Sequence, residues 1–244
     1  MLSDADVAAH YDLLSPWDPI RFPSDAFYDE LVRGADAALD VGCGTGNMLR
    51  QARESGHSGR LVGIDPDRAA LDRARRRTDI EWVLGTAADV SWVGEFDLAT
   101  MVSHAFQCLI GDDELRASLA AVRTALRDGG RFAFETRHPQ ARAWEEWNAS
   151  NAEDFTDPTG RALRSSHHVE SVVGDVVTLT ETTSDPADGI VLRVDRTSLR
   201  FLDVPTLGDF LDGAGFAIES QYGDWHGGPI TETSREIVTI ARRV

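Results

Sequence analysis

Apolar positions along this chain change period twice. From Ala38 they fall in short solid runs, each closed by an acid or a glycine and followed by residues at helical spacing. ALDV (Ala38–Val41) leads through a glycine loop into a predicted helix over Asn47–Glu54, and LVGID (Leu61–Asp65) into one over Arg68–Arg77. EWVLGTAAD (Glu81–Asp89) and FDLATMVS (Phe96–Ser103) predict a third and a fourth strand. In DDELRASLAAVRTALRDGG one helical face carries Leu115, Leu119, Val122 and Leu126, with Gly129–Gly130 as the stop before a fifth strand, RFAFET (Arg131–Thr136). Solid apolar strands alternating with helices predict a parallel sheet covered on both faces.

Past a Trp-rich stretch (Trp144, Trp147) the period drops to two. Ser166–Val173, Val176–Thr183 and Ile190–Phe201 predict three antiparallel strands, the first two joined by a tight Gly174–Asp175 turn. VPTLGDFLDGAGF then returns to helical spacing, with Gly215 past its end, before two closing strands, Phe216–Tyr222 and Glu236–Ala241. The expected organisation is an N-terminal helical arm (1–36), a Rossmann-like core (37–139), an inserted antiparallel unit (140–202) and a C-terminal helix and strand pair completing the core sheet (203–244).

Charge narrows the partners. The net charge is -17, from 24 basic residues, all Arg, against 41 acidic ones. Such an excess of acid repels phosphate backbones and anionic membrane surfaces, so neither nucleic acid nor membrane is an expected partner. The absence of Lys removes Schiff-base chemistry. MLSDADVAAHYD has no apolar centre and does not fit a signal peptide, and no window approaches the 18 or so apolar residues of a membrane span. Cys43 and Cys108 fit no metal spacing, and His167 and His168, adjacent on a strand, point to opposite faces. No metal site is expected, and a reducing cytosol is the expected compartment.

Gly42, Gly44 and Gly46 alternate after the first strand. A dinucleotide loop needs its third glycine where Asn47 stands, and a P-loop needs a G-K-[ST] ending that is missing here. The early glycine instead suits a ligand whose amino-acid portion lies over the loop. Asp65, ending the second strand, is placed for ribose hydroxyls, and Asp89, ending the third, for an adenine amino group.

LDVGCGTG, LVGIDPD, GTAADV and LRDGGRFAFE, in that order, resemble the signature segments of the class I S-adenosylmethionine-dependent methyltransferases, small-molecule type, over about Val7–Val244. The resemblance implies a doubly wound seven-stranded α/β sheet with its last strand antiparallel, an antiparallel β lid inserted after the fifth strand, and S-adenosyl-L-methionine as cofactor. It implies that Asp40, Gly42, Cys43, Gly44 and Gly46 surround the methionine part. Asp65 with Pro66 then falls at the ribose, and Asp89 with Ala88 and Val90 at the adenine. An aromatic N-terminal arm would bring Tyr11 over the cofactor, with Trp17 beside it.

A sulfonium already carries an activated methyl group, so such an enzyme must align a nucleophile, accept a proton where needed and exclude water. Candidates therefore lie in the loops after strands four and five. Ser103 and His104 end the fourth, His104 either as a base or as a cofactor contact, followed by Phe106 and Gln107. Thr136, Arg137 and His138 end the fifth, Arg137 either clamping a substrate carboxylate or turned outward. The expected reaction is in-line methyl transfer to an O or N atom of a small molecule, by a chain for which a homodimer is allowed. A cyclase or isomerase using the cofactor structurally, and a cofactor-sensing binding module, stand as alternatives.

Overall fold

The computed structural model describes residues 1–244. Two helices, α1 (Asp4–Leu14) and α2 (Pro23–Arg33), precede an alternating series: β1 (Ala37–Val41), α3 (Asn47–Glu54), β2 (Arg60–Asp65), α4 (Arg68–Ala74), β3 (Glu81–Leu84), β4 (Phe96–Met101), α5 (Asp112–Ala125) and β5 (Leu126–Arg137). Four antiparallel strands follow, β6 (Glu153–Thr156), β7 (Ala162–Val173), β8 (Val176–Ser184) and β9 (Val191–Arg200). The chain closes with α6 (Val204–Gly213), β10 (Phe216–Tyr222) and β11 (Glu236–Arg243).

The main sheet has seven strands in the order β10-β11-β5-β4-β1-β2-β3. β1 pairs in parallel with both β2 and β4, and β11 runs antiparallel to β5 and β10. Every residue of β1 is buried, as its central place requires. Alternate side chains serve opposite faces. Leu39 and Val41 join Leu115, Leu119 and Val122 of α5 and Leu207 and Leu211 of α6. Ala38, Leu61 and Leu98 face Tyr28 and Val32 of α2 and Met48 and Leu49 of α3. No helix is long and apolar enough to cross a membrane.

Five sequence expectations shift. Leu126, expected on the helical face, instead opens the fifth strand, which therefore starts before Gly129–Gly130 and not at Arg131. The third strand ends at Leu84, because Asp89 folds back to accept from the Thr86 N–H (2.8 Å) and hydroxyl (2.7 Å), turning Ala87–Asp89 into a single 3₁₀ turn. The fourth ends at Met101, where the chain enters a left-handed bend. The helix after Pro66 stops at Ala74 rather than Arg77. The inserted sheet has four strands rather than three: β6, EDFT, is short and mostly exposed and so carries no apolar alternation.

α1 bridges core and insert. Its Asp4 pairs with Arg193 of β9 (2.6 Å), the Leu2 N–H donates to the Leu192 carbonyl (3.1 Å), and the His10 ring meets Phe155 of β6 edge-on. At its other end the Asp12 carboxylate accepts from Thr45 of the glycine loop, from Asn47 at the start of α3 and from Arg73 of α4. The arm is thereby fastened across the carboxyl edge of the sheet.

Candidate active site

The carboxyl ends of β1, β2 and β4 open into a cleft of about 450 Å³, roofed by Val7, Ala8 and Tyr11 of α1. This is where an open α/β sheet takes a ligand. The glycine loop forms its floor. Gly42, Gly44 and Gly46 have φ of +76°, +54° and +77°, a region that side-chain-bearing residues rarely occupy. Each serves differently. A Cβ on Gly42 would stand 2.9 Å from that of Ala105, so Gly42 lets the loops after β1 and β4 approach. Gly44 faces open space in the cleft, offering bare backbone to a ligand. Gly46 starts α3 with the Trp82 ring against it and does not line the cleft. Cys43 packs beneath the loop with Leu71 and Ala74, where burial pushes its thiol pKa up.

Two acids set the electrostatics. Asp65 accepts the Gly44 N–H (2.7 Å) on one oxygen and the Asp67 N–H (2.7 Å) on the other, tying the glycine loop to the end of β2. It lines the cleft with Pro66 and keeps the second lone pair of each oxygen. Asp40 lies in the middle of the sheet. Its Oδ1 accepts from the Thr100 hydroxyl (2.8 Å), and its buried Oδ2 has no partner. Burial, with the nearby charges of Asp65 and Glu135, pushes its pKa to about 7. An orphaned carboxylate oxygen, an open glycine and a preponderance of acid suit a ligand bearing positive charge. S-Adenosylmethionine, with a sulfonium and an ammonium, fits these residues.

The adenine-side residues divide. Thr86 and Ala87 line the cleft, whereas Ala88 and Asp89 are exposed beside it and Val90 is buried in the core. The Asp89 carboxylate caps Thr86 through Oδ2, which holds its pKa down, and leaves Oδ1 free.

A second chamber, of about 420 Å³, adjoins the first and shares Tyr11, Val102 and Ser103 with it. The wall between them is Ser103–His104, both left-handed with φ of +56° and +62°. Two such residues in a row cost on the order of 1–3 kcal/mol each, so the surroundings must hold them. Glu135 of β5 does so: one oxygen accepts the His104 N–H (2.7 Å), the other the Tyr28 hydroxyl. Burial pushes the Glu135 pKa up. The His104 ring points its Nε2 at Glu236 of β11 (3.0 Å). A carboxylate accepts, so Nε2 donates to it, and in the neutral imidazole the lone pair then lies on Nδ1.

Strand five's end also divides. Arg137 lines the chamber, donates to the Gln107 side-chain oxygen (3.1 Å) and lies over the Trp147 ring at 5.3 Å, with burial lowering its pKa. His138 lines neither cavity. It is buried, with Nδ1 accepting the Gln140 N–H (3.1 Å) to start a turn, and desolvation lowers its pKa. The structure thus brings together Tyr11, Ser103, His104 and Arg137, and leaves Asp40, Cys43, Gly46, Ala88, Asp89, Val90 and His138 outside the linings of both cavities. Eight chamber residues went unforeseen, among them Asp25, Tyr28, Glu135, Trp225 and Glu236. Glu135 alone had a local signal, an acid inside the apolar run RFAFET.

Comparison with known proteins fits this geometry. A family model described as a methyltransferase domain matches residues 38–130. The 2-phytyl-1,4-naphtoquinone methyltransferase of Thermosynechococcus vestitus is 33% identical over 138 residues, which span 54% of this chain and 60% of that one. The match therefore falls short of two thirds of that relative's length. The cypemycin N-terminal methyltransferase of Streptomyces is 27% identical over 219 residues, 84% of this chain and 82% of the relative. Among solved structures, an S-adenosylmethionine-dependent methyltransferase from Clostridium acetobutylicum superposes with a TM-score of 0.76 at 16% identity, covering 97% of each chain. That likeness establishes the fold.

Proposed function

We propose that the chain belongs to the class I S-adenosylmethionine-dependent methyltransferases and that it methylates a nitrogen or oxygen atom of a small molecule seated beside the glycine loop. The observation that carries this reading is the meeting of two cavities at Tyr11, Val102 and Ser103, with His104 on the far side of the join. One cavity has the backbone and acids to hold the cofactor, and the other has room for an acceptor.

In this reading Asp65 takes the ribose hydroxyls, Gly42, Gly44 and the orphaned oxygen of Asp40 face the methionine part, and Asp89 Oδ1 takes the adenine amino group. Tyr11 covers the join. When bound, the cofactor supplies an activated methyl group on a sulfonium. The chain's own task is to align the acceptor, keep water out and remove a proton. His104 is the candidate catalytic base through Nδ1, with Glu236 as the positioning residue that fixes its tautomer and stabilises the imidazolium. The two relatives act, by their names, on a naphthoquinone and on a peptide N-terminus. The closed arm and the inserted sheet favour a compact acceptor here.

Calorimetric titration with S-adenosylmethionine, S-adenosylhomocysteine and NADH tests the reading. Micromolar binding of the first two, and none of NADH, is expected. Binding of NADH alone would overturn it. Product formation without release of S-adenosylhomocysteine would favour a non-methylating enzyme on this fold.

A further inference from the structure

The chamber beside the cleft is acidic and aromatic together. Asp25, Glu135 and Glu236 line it against one cation, Arg137, which is already engaged with Gln107 and Trp147. Trp17, Tyr28 and Trp225 add ring surface, and Tyr11 closes the side toward the cleft. Phe27, Tyr28 and Trp225 pack edge to face, fixing the indole. From this we propose that the acceptor is a primary or secondary amine entering as its ammonium ion, a deepening that rests on the methyl-transfer reading of the adjoining cleft.

Three acceptor chemistries can be weighed against these walls. A carboxylate or phosphate would meet the buried Glu135, the half-buried Glu236 and a guanidinium already committed elsewhere, and is repelled. A neutral alcohol needs one hydrogen-bond acceptor and gains nothing from an unbalanced negative chamber. An ammonium ion matches both features: its N–H groups donate to carboxylates, and its charge is attracted to aromatic faces. An N-methylated product keeps the charge and gains apolar surface, which the same rings accommodate.

The base completes the match, because an ammonium ion has no lone pair until it loses a proton. His104 Nδ1 makes no hydrogen bond to the protein and stands in the chamber wall, while Nε2–H is held by Glu236. One proton passes from the ammonium nitrogen to Nδ1. The freed lone pair forms the N–CH₃ bond as the methyl–sulfur bond breaks, its electron pair remaining on sulfur. The product leaves as the methylated ammonium ion, and His104 returns its proton to water.

The test uses three probes sharing one ring: cyclohexylamine, cyclohexanol and cyclohexanecarboxylate. Binding is followed by saturation-transfer NMR on the full chain at pH 7.5, with and without saturating S-adenosylhomocysteine. Cyclohexylammonium should bind at least ~10-fold more tightly than either partner probe, the scale of a charge-assisted hydrogen bond. Glu236→Gln should weaken that binding about 10-fold, and Trp225→Leu about 3-fold, the loss of a cation–π contact. Neither should alter S-adenosylhomocysteine affinity. Equal binding of the alcohol or carboxylate, no binding of the amine, or indifference to both substitutions overturns the proposal. Failure of S-adenosylhomocysteine to bind strikes instead at the methyl-transfer reading, and the probes on the free chain still report on the chamber. ¹⁵N spectra of the imidazoles give a readout independent of turnover. His104 should hold its proton on Nε2, and Glu236→Gln should shift the tautomer balance.

Discussion

The glycine-loop cleft and the chamber beside it are built in opposite ways. The cleft's floor comes from successive strand-to-helix loops within one stretch of chain, and its working groups are largely backbone: the open face of Gly44, and N–H groups that lock Asp65 in place. The chamber is assembled from side chains delivered by the N-terminal arm, the loop after β4, the end of β5, the connection from β10 to β11 and the start of β11. A site made by backbone geometry tolerates many side chains around it but demands its glycines. A site made by converging side chains can be re-specified residue by residue. The first suits a fixed cofactor, the second a particular acceptor.

Separation of roles should be visible in kinetics. His104→Ala is expected to lower kcat by about 10²–10⁴-fold, the usual weight of a general base, while leaving S-adenosylhomocysteine affinity within about 3-fold by the same division of labour. Stopped turnover assays paired with calorimetry would measure both. A parallel collapse of affinity would mean that the Ser103–His104 bend belongs to the cofactor site, and the comparison would break. Asp65→Ala should do the reverse. Losing charged hydrogen bonds to the ribose lowers cofactor affinity by about 10- to 100-fold. Unchanged affinity would remove Asp65 from the site.

Asp40 sharpens the electrostatic side of the comparison. Its folded-state pKa is about 7, against an ordinary 3.8. Between those values the folded chain binds more protons than the unfolded one, so stability falls as pH rises from about 4 to 7, by roughly 4 kcal/mol from this group. Asp65 and Glu135 shift in the same direction and add to the slope. Asp40→Asn should flatten the pH dependence of the melting temperature and raise it at pH 8. A positively charged cofactor group, however, calls for the ionised form. S-Adenosylmethionine affinity should therefore fall about 10-fold from pH 8 to pH 6, as ionisation drops to about a tenth one unit below the pKa. In Asp40→Asn the affinity should be lower and independent of pH over that range. A wild-type affinity that ignores pH would show that the orphaned oxygen does not face the cofactor.

Legibility followed the same division. The helix Asn47–Glu54 and the strand Phe216–Tyr222 have the bounds that their patterns predict, because local apolar period and a terminal glycine or acid specify them. The third strand was overrun because nothing in its apolar content announces that Thr86 and Asp89 will close on each other. Glu236 stands 132 residues from His104 and at the head of an ordinary buried strand, so no spacing rule could pair them. Gly46 was legible as a glycine but not as the one backed by Trp82. Sequence pattern records what a residue's own segment demands, and is silent on partners brought by topology.

The smallest expected effect concerns the one residue that could belong to either account. Asp89 is exposed, its Oδ2 spent on Thr86 and its Oδ1 free beside the cleft. As a cap alone it would matter to the turn and not to the ligand. As an adenine contact it would accept from the amino group, and Asp89→Asn would present an amide donor or a weaker acceptor there. A loss of about 3- to 10-fold in S-adenosylhomocysteine affinity is expected, the range of one exposed hydrogen bond. The inosine analogue, which has a carbonyl in place of the amino group, supplies the decisive cross: it should bind wild type more weakly than the adenine form, and Asp89→Asn should narrow that gap. Because the substitution and the analogue alter the same contact, their effects should be non-additive. Full additivity, with only the melting temperature responding to Asp89→Asn, would assign the carboxylate to the Thr86 turn and leave the adenine to Thr86 and Ala87.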